Sequence, residues 1–164
     1  MAASTIENGV YFIQNVRTGT VIDLAVGSSK DGTIVQGYVK RELDDVSVSA
    51  QLWIIVHAGN TREYTIQNAN SRTYLDLQGN SAPETGGHGT RVIGYHQTGV
   101  QSQRWIIKRS SKNTSYSIIN GVTGTYMDLD GGRSSNGTPI MTFRGEGIGY
   151  STTNENQLWH IVRA

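Results

Sequence analysis

The chain contains no cysteine. Disulfides, thiolate metal sites and a cysteine nucleophile are therefore excluded. The same absence fits a reducing compartment, so a cytoplasmic location is expected. Proline is scarce, at 2 residues, and no stretch repeats its apolar residues with the helical period, so helices are not expected to form the framework. No apolar run approaches the roughly 20 residues that span a bilayer, and membrane insertion is not expected. The first seven residues, Met1 to Glu7, lack the basic and apolar segments of a secretion signal, so none is expected. The two glycosylation sequons, at Asn113 and Asn136, are then expected to stay unused. An excess of one charge is also missing: 14 basic and 13 acidic residues leave a net +1. The signs alternate locally, as where Lys40-Arg41 runs into Glu42. Without a basic stripe, nucleic acid is not an expected partner. His57, His88, His96 and His160 show no metal-ligand spacing, and no Gly-x-Ser-x-Gly elbow is present. No metal, cofactor or catalytic residue is expected.

What the chain has in quantity is glycine, at 20 residues, together with valine, isoleucine, threonine and tyrosine. That mixture favours short strands joined by tight turns. Three internal repeats organise it. Tyr11-Phe12-Ile13-Gln14-Asn15 recurs as Tyr64-Thr65-Ile66-Gln67-Asn68 and as Tyr116-Ser117-Ile118-Ile119-Asn120, at spacings of 53 and 52 residues. Each unit continues with an Asp-Leu pair (Asp23, Asp76, Asp128) and a Gly-Thr pair, and closes on Gln-x-Trp at Trp53, Trp105 and Trp159.

Within the first unit, residues 10–16, 20–26, 33–39 and 51–56 read as strands with alternating apolar positions. Three four-stranded units give about twelve strands. The expectation is an all-β β-trefoil with pseudo-threefold symmetry, because closure of three such units into a barrel removes the exposed sheet edges. The expected organisation is an N-terminal arm over 1–8 and one domain over 9–164, with repeats about 9–60, 61–112 and 113–164.

The triple Gln-x-Trp with an upstream Asp-Leu resembles the ricin-B-type lectin family over roughly residues 9–163. The runs Asp23–Thr33 and Asp128–Thr138 look most like its mushroom members. Some of these carry a further C-terminal domain with protease-like features, which is not expected here. The resemblance implies a non-catalytic agglutinin for galactose- or N-acetylgalactosamine-type glycans with a defence role, and it allows a homodimer. A neutral sugar needs a carboxylate that accepts hydrogen bonds from neighbouring hydroxyls and an aromatic face that removes its C–H patch from water. Carried over from the family pattern, the third unit offers Asp128 as acceptor, Phe143 fifteen residues later as platform, and Asn156 with Gln157 as amide partners. The first offers Asp23, Gln36 and Tyr38, with Ala50 where the family has a polar residue. The second offers Asp76 with Tyr95 and His96, but Tyr95 follows Asp76 by nineteen residues because of an insertion at Pro83–His88, and Ser102 replaces the amide. The expected order of the sites is third, first, second.

Some of these residues have a purely architectural reading. Three tryptophans at one repeat position are expected in the core, with the preceding glutamines satisfying backbone groups. The aspartates suit turns as well as ligands. The stretch from Gly145 to Gly149 lacks the strand-to-helix setting of a phosphate loop and is expected to be a flexible loop, with the wall of a site as its candidate role. A shallow trefoil surface does not enclose a bond between two carboxylates, so glycoside hydrolysis is not expected. The competing function is a trefoil protease inhibitor acting through surface loops, and a scaffold for a protein partner is the third.

Overall fold

Alternation of buried and exposed side chains turns each repeat into four strands. The computed structural model describes residues 6–79, 88–110, 114–145 and 152–164. The strands are β1 (Gly9–Asn15), β2 (Val21–Leu24), β3 (Thr33–Tyr38), β4 (Trp53–His57), β5 (Glu63–Asn68), β6 (Tyr74–Leu77), β7 (Thr90–Tyr95), β8 (Trp105–Arg109), β9 (Tyr116–Asn120), β10 (Tyr126–Leu129), β11 (Thr138–Phe143) and β12 (Trp159–Arg163). All pairings are antiparallel. Strands β1, β4, β5, β8, β9 and β12 pair in a closed ring, the barrel. The hairpins β2–β3, β6–β7 and β10–β11 form the cap. Their second strands, β3, β7 and β11, pair with one another around the pseudo-threefold axis. The architecture is the expected β-trefoil. Most of the insertion Pro83–His88, four residues of the Gly145–Gly149 stretch, and residues 146–151 within the loop from Arg144 to Glu155 lie outside the described residues.

The core is filled in threes. Ile13, Ile66 and Ile118, then Leu24, Leu77 and Leu129, then Val35, Val92 and Ile140, are all at 0% exposure. Trp53, Trp105 and Trp159 are buried with them, as expected, and truncating such a side chain costs about 3–5 kcal/mol. A second threefold set links the repeats. Each Tyr-x-x-x-Asn asparagine donates its amide to the backbone carbonyl just before a Gln-x-Trp of the preceding unit: Asn68 to Ala50 at 3.0 Å, Asn120 to Ser102 at 3.0 Å, and Asn15 to Asn156 at 3.1 Å.

One expected strand is shorter than its pattern. The reading over 20–26 ends at Leu24, because Ala25–Gly27 folds into a single 3-10 turn. Val26 there adopts φ 48°, in the left-handed region, where the other repeats have Gly79 at 86° and Gly131 at 65°. A β-branched residue in that region is strained, and Val26 is 96% exposed.

Candidate functional site

In each repeat the aspartate is the third residue of a short cap strand, and the Gln-x-Trp holds it from behind. The glutamine closes a 3-10 turn and the tryptophan opens the next strand, and both side chains reach the hairpin. Each indole donates to the carbonyl of the residue before the aspartate: Trp53 to Ile22 at 3.0 Å, Trp105 to Leu75 at 3.1 Å, Trp159 to Met127 at 3.0 Å. Each glutamine Nε2 donates to the carboxylate itself: Gln51 to Asp23 at 3.0 Å, Gln103 to Asp76 at 3.0 Å, Gln157 to Asp128 at 2.9 Å. The same Nε2 also donates to the carbonyl just past the aromatic, at Val39, His96 and Arg144. One side chain therefore fixes the carboxylate and the strand carrying the platform together. Gln157 is wholly buried and takes the Thr152 hydroxyl on its oxygen. It stands behind Asp128 and orients it, and it is not a surface amide.

The aromatic positions coincide in all three repeats. Tyr38 pairs with Val21, Tyr95 with Tyr74 and Phe143 with Tyr126. The nineteen-residue spacing in the second repeat thus leaves Tyr95 in register with the other two: the extra residues fall between β6 and β7, outside both strands. The residue directly opposite each aspartate differs, being Gln36, Ile93 and Met141 in turn. Exposure of the carboxylates is small, at 1% for Asp23, 0% for Asp76 and 5% for Asp128.

The first repeat is the most polar. Asp23 accepts from Gln36 Nε2 at 3.1 Å on Oδ1, and from Arg41 Nη1 at 2.8 Å on Oδ2 beside Gln51. The Arg41 guanidinium also lies over the Tyr38 ring, 4.6 Å from its centre, a cation–π contact. Beside it opens a cavity of about 440 Å³ lined by Asp23, Gln36, Tyr38, Arg41, Ala50 and Asn70, among others. The amide missing at Ala50 is present at Asn70, which comes from the next repeat. Its Nδ2 donates to Gly27 O at 2.8 Å and its Oδ1 accepts from Ser49 at 3.0 Å.

In the third repeat the corresponding outsider is Arg17, which donates to Asn156 Oδ1 at 3.4 Å. The rings of Phe143 and His88 meet at 78°, centres 5.2 Å apart. In the second repeat Ser102 is buried with its hydroxyl unpartnered. His96 lies beside Tyr95 and is drawn to the first repeat, its Nδ1 2.6 Å from Asp31 Oδ2. That contact holds the Asp31 carboxyl below its ordinary range.

Arg41, Asn70 and Arg17 were not singled out from the sequence. Asn70, Arg17 and Val122 each stand two residues after the asparagine of the Tyr-x-x-x-Asn motif, so a signal for the borrowed position existed in the repeat pattern. Among the described residues, no group of three His, Asp or Glu is placed to hold a metal ion.

The arrangement is a set of rigidly held acceptors beside aromatic faces, on a shallow surface. A family model described as ricin-type beta-trefoil lectin domain-like matches residues 2–95 and again 49–143. No curated protein matches the chain in sequence. Among solved structures, a Macrolepiota procera ricin B-like lectin in complex with lactose is similar at 27% identity and TM-score 0.74, over 99% of this chain and 100% of that one. The Rhizoctonia solani agglutinin is similar at 25% identity and TM-score 0.79, over 99% and 100%. A Polyporus squamosus lectin bound to the epitope Neu5Acα2-6Galβ1-4GlcNAc is similar at 29% identity and TM-score 0.70, over 96% of this chain and 50% of that one.

Proposed function

The chain belongs to the ricin-type β-trefoil lectin family, and from that premise we propose that it is a non-catalytic lectin for glycans ending in galactose or N-acetylgalactosamine. The observation that carries this reading is the clamp repeated three times: a carboxylate held by a buried glutamine, with an aromatic at one fixed register beside it. Galactose, with its axial 4-hydroxyl, exposes one face rich in C–H groups to such an aromatic and neighbouring hydroxyls to such an acceptor. The Macrolepiota procera lectin, solved with lactose, supports the choice of sugar. A shallow site of this kind binds a monosaccharide with a Kd on the order of 1 mM, about −4 kcal/mol. Useful avidity comes from several sites on one chain or from a homodimer. The reading extends to a cytoplasmic agglutinin that defends its tissue against animals feeding on it. The absence of cysteine supports the compartment.

A glycan array with free lactose and N-acetylgalactosamine as competitors tests the class. Signal on galactose-terminated glycans that lactose removes is the expected result. A blank array would sink the lectin reading and move attention to protease inhibition. Within a positive result, Asp128→Asn tests the site: it keeps the shape of the side chain and should weaken retention on galactose resin.

A further inference from the structure

Arg91 breaks the threefold pattern beside the third-repeat site. Its Nε and Nη2 are buried and have no hydrogen-bonding partner among the described residues. The residue enters none of the ion pairs among the described residues. Arg91 as a whole is only half-buried, so its guanidinium stays within reach of solvent, and a cation partly withdrawn from water without a counter-charge gains when an anion meets it.

Its position says where that partner arrives. Directly opposed residues of antiparallel strands share a face. Asp128 opposes Met141, and Met141 in turn opposes Arg91. Phe143, two residues along β11 from Met141, lies on the same face, with His88 against it at a steep ring angle. The acceptor, the platform and the unpaired guanidinium therefore occupy one surface, and the cation is lent by the second repeat. The other two repeats have nothing like it. The matching position is Pro139 beside Gln36 in the first row, and Ile34 beside Ile93 in the second. Across the site, Arg17 reaches Asn156 and likewise has no carboxylate partner among the described residues.

We propose that the third-repeat site takes a galactoside bearing an anionic substituent, a sulfate ester or a carboxylate, whose oxygens are held by the Arg91 guanidinium. This rests on the lectin reading above. The planar fork of arginine matches either oxyanion, and charge-assisted bonds of this type are short and strong. His88, whose Nδ1 accepts the Arg144 N–H, keeps Nε2 as a further donor beside Phe143.

Titration calorimetry of the intact chain at pH 7.5, with lactose, lactose 3′-sulfate and 3′-sialyllactose, tests it. At least one anionic sugar should bind about tenfold more tightly than lactose, and that ratio should shrink as salt is added. Which of the two binds better separates sulfate from carboxylate as the substituent. Arg91→Gln should bring the ratio to about one, and Arg91→Lys, which keeps the charge without the fork, should retain part of it. Arg62→Gln, at an exposed arginine between β4 and β5, should leave the ratio at its wild-type value. Thermal unfolding of Arg91→Gln confirms that it is folded, which is expected because the change removes an unpaired cation. Equal binding of all three sugars, or a preference that survives Arg91→Gln, would overturn the proposal while leaving the lectin reading intact. Failure of every sugar to bind would overturn both.

Discussion

Arg41 donates to Asp23 over 2.8 Å and at the same time covers the Tyr38 ring, its guanidinium carbon 4.6 Å from the ring centre. A single cation thus sits on both features that a neutral sugar would use in the first repeat. In the third repeat the aromatic, Phe143, has His88 against it at a steep ring angle and no cation over it among the described residues. A neutral sugar at the first repeat must therefore share its acceptor and part of its platform with Arg41. In a lactose titration followed by NMR, resonances of Phe143 and Asn156 should move at lower sugar concentration than those of Gln36 and Tyr38. Simultaneous saturation of the two sets would show that Arg41 leaves without cost.

Gln157 satisfies three groups at once: the Asp128 carboxylate, the Arg144 carbonyl and the Thr152 hydroxyl. Gln157→Leu keeps the volume and removes all three bonds. Each buried group left unsatisfied costs about 1–3 kcal/mol, so urea unfolding should show a loss of at least about 3 kcal/mol. A variant of unchanged stability would mean that water takes over these bonds.

Gly37 lies between Gln36 and Tyr38, where a leucine of another repeat closes in. A Cβ added there would stand 2.7 Å from Leu129 Cδ1, a side chain at 0% exposure. Overpacking of this kind costs about 2 kcal/mol. Gly37→Ala should lower the denaturant midpoint by a corresponding amount, and Gly94→Ala, 2.9 Å from Leu24, should behave alike. An unchanged midpoint in both would show that the leucines have room to turn aside.

The pair between Asp31 and His96 carries a pH dependence. The side-chain hydrogen bond to His96, followed by its backbone bond, holds the Asp31 carboxyl below its ordinary 3.8. A carboxyl depressed in the folded state contributes stability above its unfolded value, and that contribution is lost as pH falls through the lowered one. The carboxyl resonance of Asp31 should therefore titrate below 3.8, and His96→Ala should return it toward 3.8. An Asp31 resonance that titrates normally in the intact protein would rule the contact out in water.

Much of this was legible in the linear sequence, because the fold repeats itself. Period-two alternation marked the strands, and one slot for Trp53, Trp105 and Trp159 marked the core. The spacing of fifteen from Asp23 to Tyr38 and from Asp128 to Phe143 marked two hairpins correctly. The nineteen from Asp76 to Tyr95 left the place of Tyr95 open, and pairing with Tyr74 fixes it, since residues added between two strands do not change their register. What stayed hidden crosses repeats. Asn70 and Arg17 lie at one fixed place in the repeat, two residues past the motif asparagine, but which neighbouring unit they face emerges only once the barrel closes, and Arg91 has no counterpart in the pattern at all. The turn at Val26 stayed hidden for a different reason: a valine gives no local sign of a left-handed backbone, which glycines at 79 and 131 do give in the sister repeats.

The asparagine links described above run from the second unit to the first, from the third to the second, and from the first to the third. They make a ring with no outermost member. In a linear array of repeats the end units fray first and damage stays local. Here every unit has two neighbours, so loosening one strains both others, and the loss of a single asparagine amide is felt around the whole circuit. Melting is then expected as one cooperative event, and the three candidate sites, however different their chemistry, live or fail together.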